Sequence, residues 1–176
     1  MEFLGIKIDE VTKEQALEKV VEFLGGGQHK IFTPNPEFVV KAQKDEYFKK
    51  VLNSGDLNLC DGIGLQIFTG IKRITGVDFM LDVCRLAAEQ SRGVYLLGSG
   101  NDEVVKKTFD ELQKKFPGLR ISGYNKGPTI DELRIMNYEL SADCLAKINA
   151  VQPDILFVAF GMCKQEKWIY ENLSKM

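Results

Sequence analysis

Histidine is almost missing from this chain of 176 residues, where His29 is the only one. The four cysteines, Cys60, Cys84, Cys144 and Cys163, lie far apart and form no Cys-x-x-Cys pair, so little is present from which to assemble a zinc site. No apolar run approaches the roughly 20 residues that cross a bilayer. The N-terminus has no basic segment leading into an apolar stretch and a cleavage site, which argues against export. Positive charge is not in excess either, with 23 Lys and Arg against 25 Asp and Glu and a formal net charge of -2. With no basic cluster, nucleic acid is excluded as a partner.

The rest of the composition is that of a folded protein. Hydrophobic residues make up 44% and charged residues 27%, far from a disordered chain. The length suits one domain over residues 1–176, large enough to bury a single core. Reduced, buried thiols in a cytoplasm account for the cysteines. His29 sits in Gly27-Gln28-His29-Lys30 and reads as a surface turn residue ahead of a base.

Along the chain, short apolar runs alternate with amphipathic helical patterns. Residues 2–8 read as an extended segment, one arm of a hairpin. Thr12 and Gln15 form a capping box, Val11 and Ala16 a hydrophobic staple, and Ala16, Leu17, Val20, Val21 and Leu24 one helical face that Gly25-Gly26-Gly27 ends. Strands are expected at residues 30–33, 57–60, 94–97, 119–123 and 154–160, the last apolar enough to be covered on both faces. Helices are expected after Pro34-Asn35-Pro36, after Asp61-Gly62-Ile63-Gly64, from Asp78, after Gly98-Ser99-Gly100, through Leu133, Met136, Leu140, Cys144 and Ile148, and over residues 164–173. This alternation predicts an α/β fold, Rossmann-like and doubly wound, with a mostly parallel sheet, helices on both faces and a short N-terminal extended segment or hairpin.

In such a fold ligands bind outside the carboxyl ends of the strands. Thr33-Pro34-Asn35-Pro36-Glu37, Asp61-Gly62-Ile63-Gly64, Gly98-Ser99-Gly100 and Gly161-Met162-Cys163-Lys164-Gln165-Glu166 all fall there, so four loops are expected to converge on one crevice. Gly98 and Gly100 match the first two positions of a dinucleotide fingerprint, but Glu103 stands where its third glycine belongs. What remains is a turn at a helix N-terminus, either holding a phosphate or sugar oxygen or holding nothing. Asp61 follows a strand and precedes Gly62, a place suited to a general base and equally to a helix N-cap. Arg73, in a short polar connection, can meet a diphosphate or only solvent.

Taken together, Thr33-Pro34-Asn35-Pro36-Glu37, Asp61-Gly62-Ile63-Gly64, Arg73 with Gly76 and Asp78, Leu97-Gly98-Ser99, Pro153-Asp154-Ile155-Leu156 and Lys164-Gln165-Glu166-Lys167-Trp168-Ile169 resemble the WecG/TagA/CpsF glycosyltransferase family. The resemblance implies an inverting transfer, without metal or cofactor, of N-acetylmannosamine or a related sugar from a UDP-sugar donor. The implied acceptor is undecaprenyl-diphosphate-linked N-acetylglucosamine, in the synthesis of teichoic acid and other cell-surface polymers. It implies Asp61 as base, Arg73 as the residue offsetting charge on the leaving diphosphate, and Gln165 as a pocket residue of the catalytic set. Thr33, Asn35, Gly62, Gly98, Ser99 and Lys164 are implied as substrate-binding residues. Family members continue past the helix at 164–173 into a further strand and a basic membrane-associating segment. Because this chain stops at Met176, the expectation is a domain without those parts, cytoplasmic, peripheral on the membrane only where such a segment is present, binding UDP modestly and nearly inactive alone on a lipid-linked acceptor, with a truncated member inactive on its own as the alternative. A homo-oligomer stays open. The competing classes are a nucleotide-binding α/β module without catalysis, in which Asp61 is a cap, and a flavodoxin-like redox domain, which would need a flavin or nicotinamide.

Overall fold

The computed structural model describes residues 1–98, 100–128 and 142–176, with the side chains of residues 142 and 143 left aside. The expected role of Ser99 and the helical positions Leu133, Met136 and Leu140 lie outside the described residues. The chain has an α/β, Rossmann-like fold with mostly parallel strand pairing, and divides into two compact units, Met1–Val83 and Cys84–Met176.

The first unit opens with a hairpin whose two arms both lie in the segment expected as one arm, β1 (Glu2–Phe3) antiparallel to β2 (Ile6–Lys7). Leu4 and Gly5 both have positive φ, 49° and 77°, as a tight turn matched to strand twist requires. Helix α1 (Lys13–Phe23) begins at the predicted capping box, Thr12 accepting from the N–H of Gln15 while the Gln15 side chain accepts from the N–H of Thr12. Its buried face is narrower than the apolar pattern suggests, since Ala16 and Val20 are buried but Val21 is exposed.

Strand β3 (Ile31–Phe32) pairs parallel with β4 (Leu57–Asn58). Between them run α2 (Pro36–Ala42) and α3 (Glu46–Asn53), and after β4 comes α4 (Ile63–Thr69). Phe38, Phe48, Val51, Leu52, Leu57, Leu59 and Leu65 are all buried in this unit. Helix α5 (Gly76–Glu89) starts two residues before Asp78, which was expected to open it. The N–H of Asp78 donates to the Thr75 hydroxyl, and that hydroxyl donates back to the Asp78 carboxylate, so Asp78 sits in the first turn and Thr75 precedes the helix as its cap.

The second unit is built on a three-stranded parallel sheet in the order β6-β5-β7, with β5 at Gly93–Gly98, β6 at Arg120–Asn125 and β7 at Ile155–Ala159. Helices α6 (Asp102–Lys115), α7 (Ala142–Val151) and α8 (Lys164–Asn172) accompany it. The central strand β5 is buried along its whole length. The expectation of a strand covered on both faces at 154–160 is corrected here: the residues of β7 are half-buried, with Ala159 exposed, and among the described residues it pairs only with β5. Asp154 ties the amino ends of the sheet together, accepting from the N–H of Gly93 at 2.6 Å and pairing with Arg92 at 3.0 Å and Arg120 at 3.3 Å. Tyr95, Leu97, Cys144, Ile148, Phe160 and Trp168 form a core cluster in which Phe160 meets Trp168 edge to face. The four cysteines are free thiols. Among the described residues no helix is long and apolar enough to cross a membrane.

Candidate functional site

In the first unit the parallel pairing of β3 and β4 runs on past the regular strands. Leu59 N–H donates to Phe32 C=O at 2.8 Å and Asp61 N–H to Pro34 C=O at 2.9 Å, which lays Thr33-Pro34-Asn35 alongside Cys60-Asp61. A third segment joins at Ile74, whose N–H donates to Cys60 C=O at 2.9 Å. Three stretches distant in sequence therefore meet at the carboxyl end of one strand pair.

The glycines of Asp61-Gly62-Ile63-Gly64 have a packing reason. A Cβ on either Gly62 or Gly64 would lie 2.8 Å from the ring of Pro36, so both glycines let the start of α4 close on the start of α2. Gly62 also has φ of 134°, which a side chain would oppose. Asn35 caps α2, its Oδ1 accepting from Glu37 N–H at 2.9 Å and Phe38 N–H at 3.1 Å, which turns its amide nitrogen away from the helix.

Asp61 answers the question that its sequence position left open. It does not cap α4, whose N-cap is Gly62 with no side-chain bond. Its Oδ2 instead accepts from Gly76 N–H, the first residue of α5, at 2.9 Å. Its Oδ1 lies 3.5 Å from Nε of Arg73. One oxygen is thus pinned by backbone, while the other faces a guanidinium whose side chain is 44% exposed, a loose pairing that an anion can compete for. Gln66 holds the backbone of this arginine, its Oε1 accepting from Arg73 N–H at 2.9 Å. Thr33 completes the cluster, since a Cβ on Gly76 would come within 3.0 Å of Thr33 Oγ1 and 3.4 Å of Asp61 Oδ2. Beside it, burial pushes the Cys60 thiol pKa up and keeps it protonated. Thr33, Asn35, Asp61, Gly62 and Arg73 are accordingly brought together within this unit. Gly76 and Gln66, which position Asp61 and Arg73, were not singled out in these roles from sequence.

The second unit carries the other candidates. Gly98 has φ of 135°, and a Cβ there would fall 2.4 Å from the carbonyl oxygen of Ala159, so it is a glycine because β5 and β7 approach closely. The N-terminus of α6 is served by its own Asn101, which accepts from Glu103 N–H at 2.8 Å. At the end of β7, Gly161 and Cys163 both take positive φ, 82° and 69°. Lys164 and Gln165 N–H groups each donate to Gly161 C=O at 3.2 Å, and Gln165 Oε1 accepts from Gly161 N–H at 3.2 Å. The Gln165 side chain is thereby turned onto its own loop.

The residue missed here is Glu166. It is 2% exposed, and burial raises its pKa to about 7, opposed by hydrogen bonds from the Gln165 side chain and from the backbone of Glu166 and Cys163. Its Oε2 has no hydrogen-bond partner. Spacing does not single it out, since the buried Trp168 two residues on does not share its helix face.

The sequence profile of the glycosyl transferase WecG/TagA/CpsF family matches residues 1–176. A Bacillus subtilis (strain 168) N-acetylglucosaminyldiphosphoundecaprenol N-acetyl-beta-D-mannosaminyltransferase is 32% identical over 146 residues, covering 80% of this chain and 53% of the relative. The protein of the same name from Bacillus spizizenii is 30% identical over 147 residues, again 80% of this chain and 53% of the relative. A Staphylococcus aureus (strain NCTC 8325 / PS 47) protein of that name is 26% identical over 183 residues, covering 98% of this chain and 68% of its own length. The chain spans about half the length of the Bacillus relatives it matches.

Proposed function

The chain belongs to the WecG/TagA/CpsF glycosyltransferase family, and from that premise we propose that it works as an inverting, metal-independent hexosyltransferase. The donor is a UDP-sugar carrying N-acetylmannosamine or a close relative. The acceptor is undecaprenyl-diphosphate-linked N-acetylglucosamine, the lipid-linked sugar that the names of its relatives specify. Work on such an acceptor would call for a cytoplasmic protein that meets the inner face of the cell membrane from outside the bilayer.

The observation that carries this reading is the state of Asp61. A carboxylate at a strand end, with one oxygen fixed by Gly76 N–H and the other facing an exposed arginine, has the geometry of an oriented base next to an anion-binding group. In the reaction Asp61 Oδ1 takes the proton of the acceptor hydroxyl as its oxygen forms a bond to the anomeric carbon. The bond from that carbon to the diphosphate oxygen breaks with inversion, UDP leaves carrying the electron pair, and the proton on Asp61 returns to solvent. Arg73 turns from Asp61 to the diphosphate, so the same movement clears Oδ1 and offsets the charge that develops on the leaving group. Thr33 and the free amide of Asn35 line the approach to Asp61 as hydrogen-bonding groups for the sugar. Gly98, Ser99, Lys164 and Gln165 are the candidates for donor contact in the remainder of the chain.

The test is to incubate the protein with UDP-N-acetylmannosamine and a short-chain lipid diphosphate carrying N-acetylglucosamine, following UDP release and the disaccharide product by mass. Formation of a β-linked product without added metal supports the reading. Failure to release UDP from this donor and from UDP-N-acetylglucosamine, by a protein that also fails to bind UDP, would remove it.

A further inference from the structure

The carboxyl of Glu166 has no part in the chemistry above, and its burial needs an explanation. In a first helical turn a glutamate is ordinarily exposed, gaining a small benefit from the helix dipole. This one is 2% exposed, has one oxygen without a partner, and has no charged group among the causes of its raised pKa. Placing a carboxyl there is unfavourable unless its remaining bonds fix something that matters.

Those bonds lead to the loop. Cys163 is the residue before α8 and stands at φ of 69°, a left-handed conformation that a non-glycine residue holds only when its surroundings impose it. Its own side chain makes no capping bond. Glu166, three residues on, supplies the tie from the helix side, its carboxyl accepting from Cys163 N–H, as in one half of a capping box. The same carboxyl accepts from the side chain of Gln165, whose Oε1 in turn accepts from Gly161 N–H at 3.2 Å. Gly161, Cys163 and Gln165 are therefore linked through one buried group.

We propose that Glu166 is a positioning residue of the donor site, tying Cys163 and Gln165 into a single fixed turn so that Lys164 and Gln165 are presented to the UDP-sugar already ordered. The proposal rests on the glycosyltransferase reading for its ligand, but the tie itself does not. Preordering of this kind acts on ligand affinity, because a turn that must order upon binding weakens it.

The experiment compares wild type with Glu166→Met, which fills similar volume and accepts no comparable bond, and with Glu166→Gln, whose amide oxygen can still accept from Cys163 N–H. Amide exchange at Gly161 and Cys163 reads the tie, and kcat and KM for the donor read its use. Glu166→Met should speed exchange at both amides and raise the donor KM about tenfold while kcat falls by less than about threefold; a tenfold change corresponds to about 1.4 kcal/mol. Glu166→Gln should stay within about threefold of wild type in exchange and in KM. In a Gln165→Ala background, Glu166→Met should add little to the KM effect, since residues sharing one network are not additive. Unchanged exchange in Glu166→Met, or an unchanged donor KM, or a full additional loss in the Gln165→Ala background would each overturn the proposal. If Glu166→Met does not fold, Gln165→Ala alone decides the tie: Gly161 should open while Cys163 stays protected, and opening of neither amide would refute it. A wild-type protein that binds no UDP-sugar would refute the functional reading instead, and the exchange rates would still decide the tie.

Discussion

The burial of Glu166 makes the stability of the fold depend on pH. Burial raises its pKa from 4.5 to about 7, so between those values the folded chain holds a proton that the unfolded chain has released. Stability must then fall as pH rises through that window. The contribution is fully present below the unfolded pKa and is lost once pH passes the folded one. A difference of about 2.5 units at about 1.36 kcal/mol each amounts to roughly 3 kcal/mol in full, of which about 2 kcal/mol lies between pH 5.5 and pH 8.5. Glu166→Gln keeps the shape and the accepting oxygen while removing the ionisation, so its stability should lack this slope. Urea unfolding of both proteins at pH 5.5, 7 and 8.5, with transition slopes checked for two-state behaviour, measures the difference. The variant should gain about 2 kcal/mol on wild type over that range. Parallel pH dependences for the two proteins would mean that Glu166 reaches solvent or a cation, and the reasoning about its burial would fail.

Arg73→Ala should weaken UDP more than uridine, because the guanidinium acts on the diphosphate, and calorimetry with both ligands checks it; equal weakening would assign the arginine elsewhere. Gly76→Ala places a methyl group 3.0 Å from Thr33 Oγ1, so transfer should drop by about tenfold or more while the unfolding free energy changes by less than about 1 kcal/mol. Full activity in that variant would show that Thr33 and Asp61 tolerate displacement. Asp154→Ala removes the acceptor for Gly93 N–H and should cost about 1–2 kcal/mol of stability. The Asp154 pKa is lowered, chiefly by that backbone bond, so its contribution is present above the unfolded value of 3.8 and is lost as pH falls through the folded one. The cost of Asp154→Ala, measured by denaturation, should therefore be smaller at pH 3 than at pH 6.

What was legible in the sequence was what depends on near neighbours. Thr12 and Gln15 announce a helix start because both bonds of the capping box lie within three residues, and the structure forms both. The parallel pairing was legible because apolar runs alternate with helical spacings. Helix α3 was passed over, although Asp45 accepts from Phe48 N–H and Phe48, Val51 and Leu52 share its buried face. Its eight residues are too short a stretch for periodicity to stand out. The bond from Asp61 to Gly76 spans 15 residues and exists only because Ile74 returns to Cys60, so spacing alone offered cap or base and not this third arrangement. Glu166 was placed only as the end of the loop that follows the last strand, with no role of its own. Only packing tells which members of such a loop face inward.

The central claim is that Asp61 is the base of a sugar transfer, and initial rates for wild type and Asp61→Asn with the same UDP-sugar and short-chain lipid acceptor test it most directly. The asparagine keeps an oxygen for Gly76 N–H, so fold and UDP affinity should be retained, while transfer falls by roughly two or more orders of magnitude. Near-normal transfer by Asp61→Asn would contradict the account and leave Asp61 as an anchor for α5 alone.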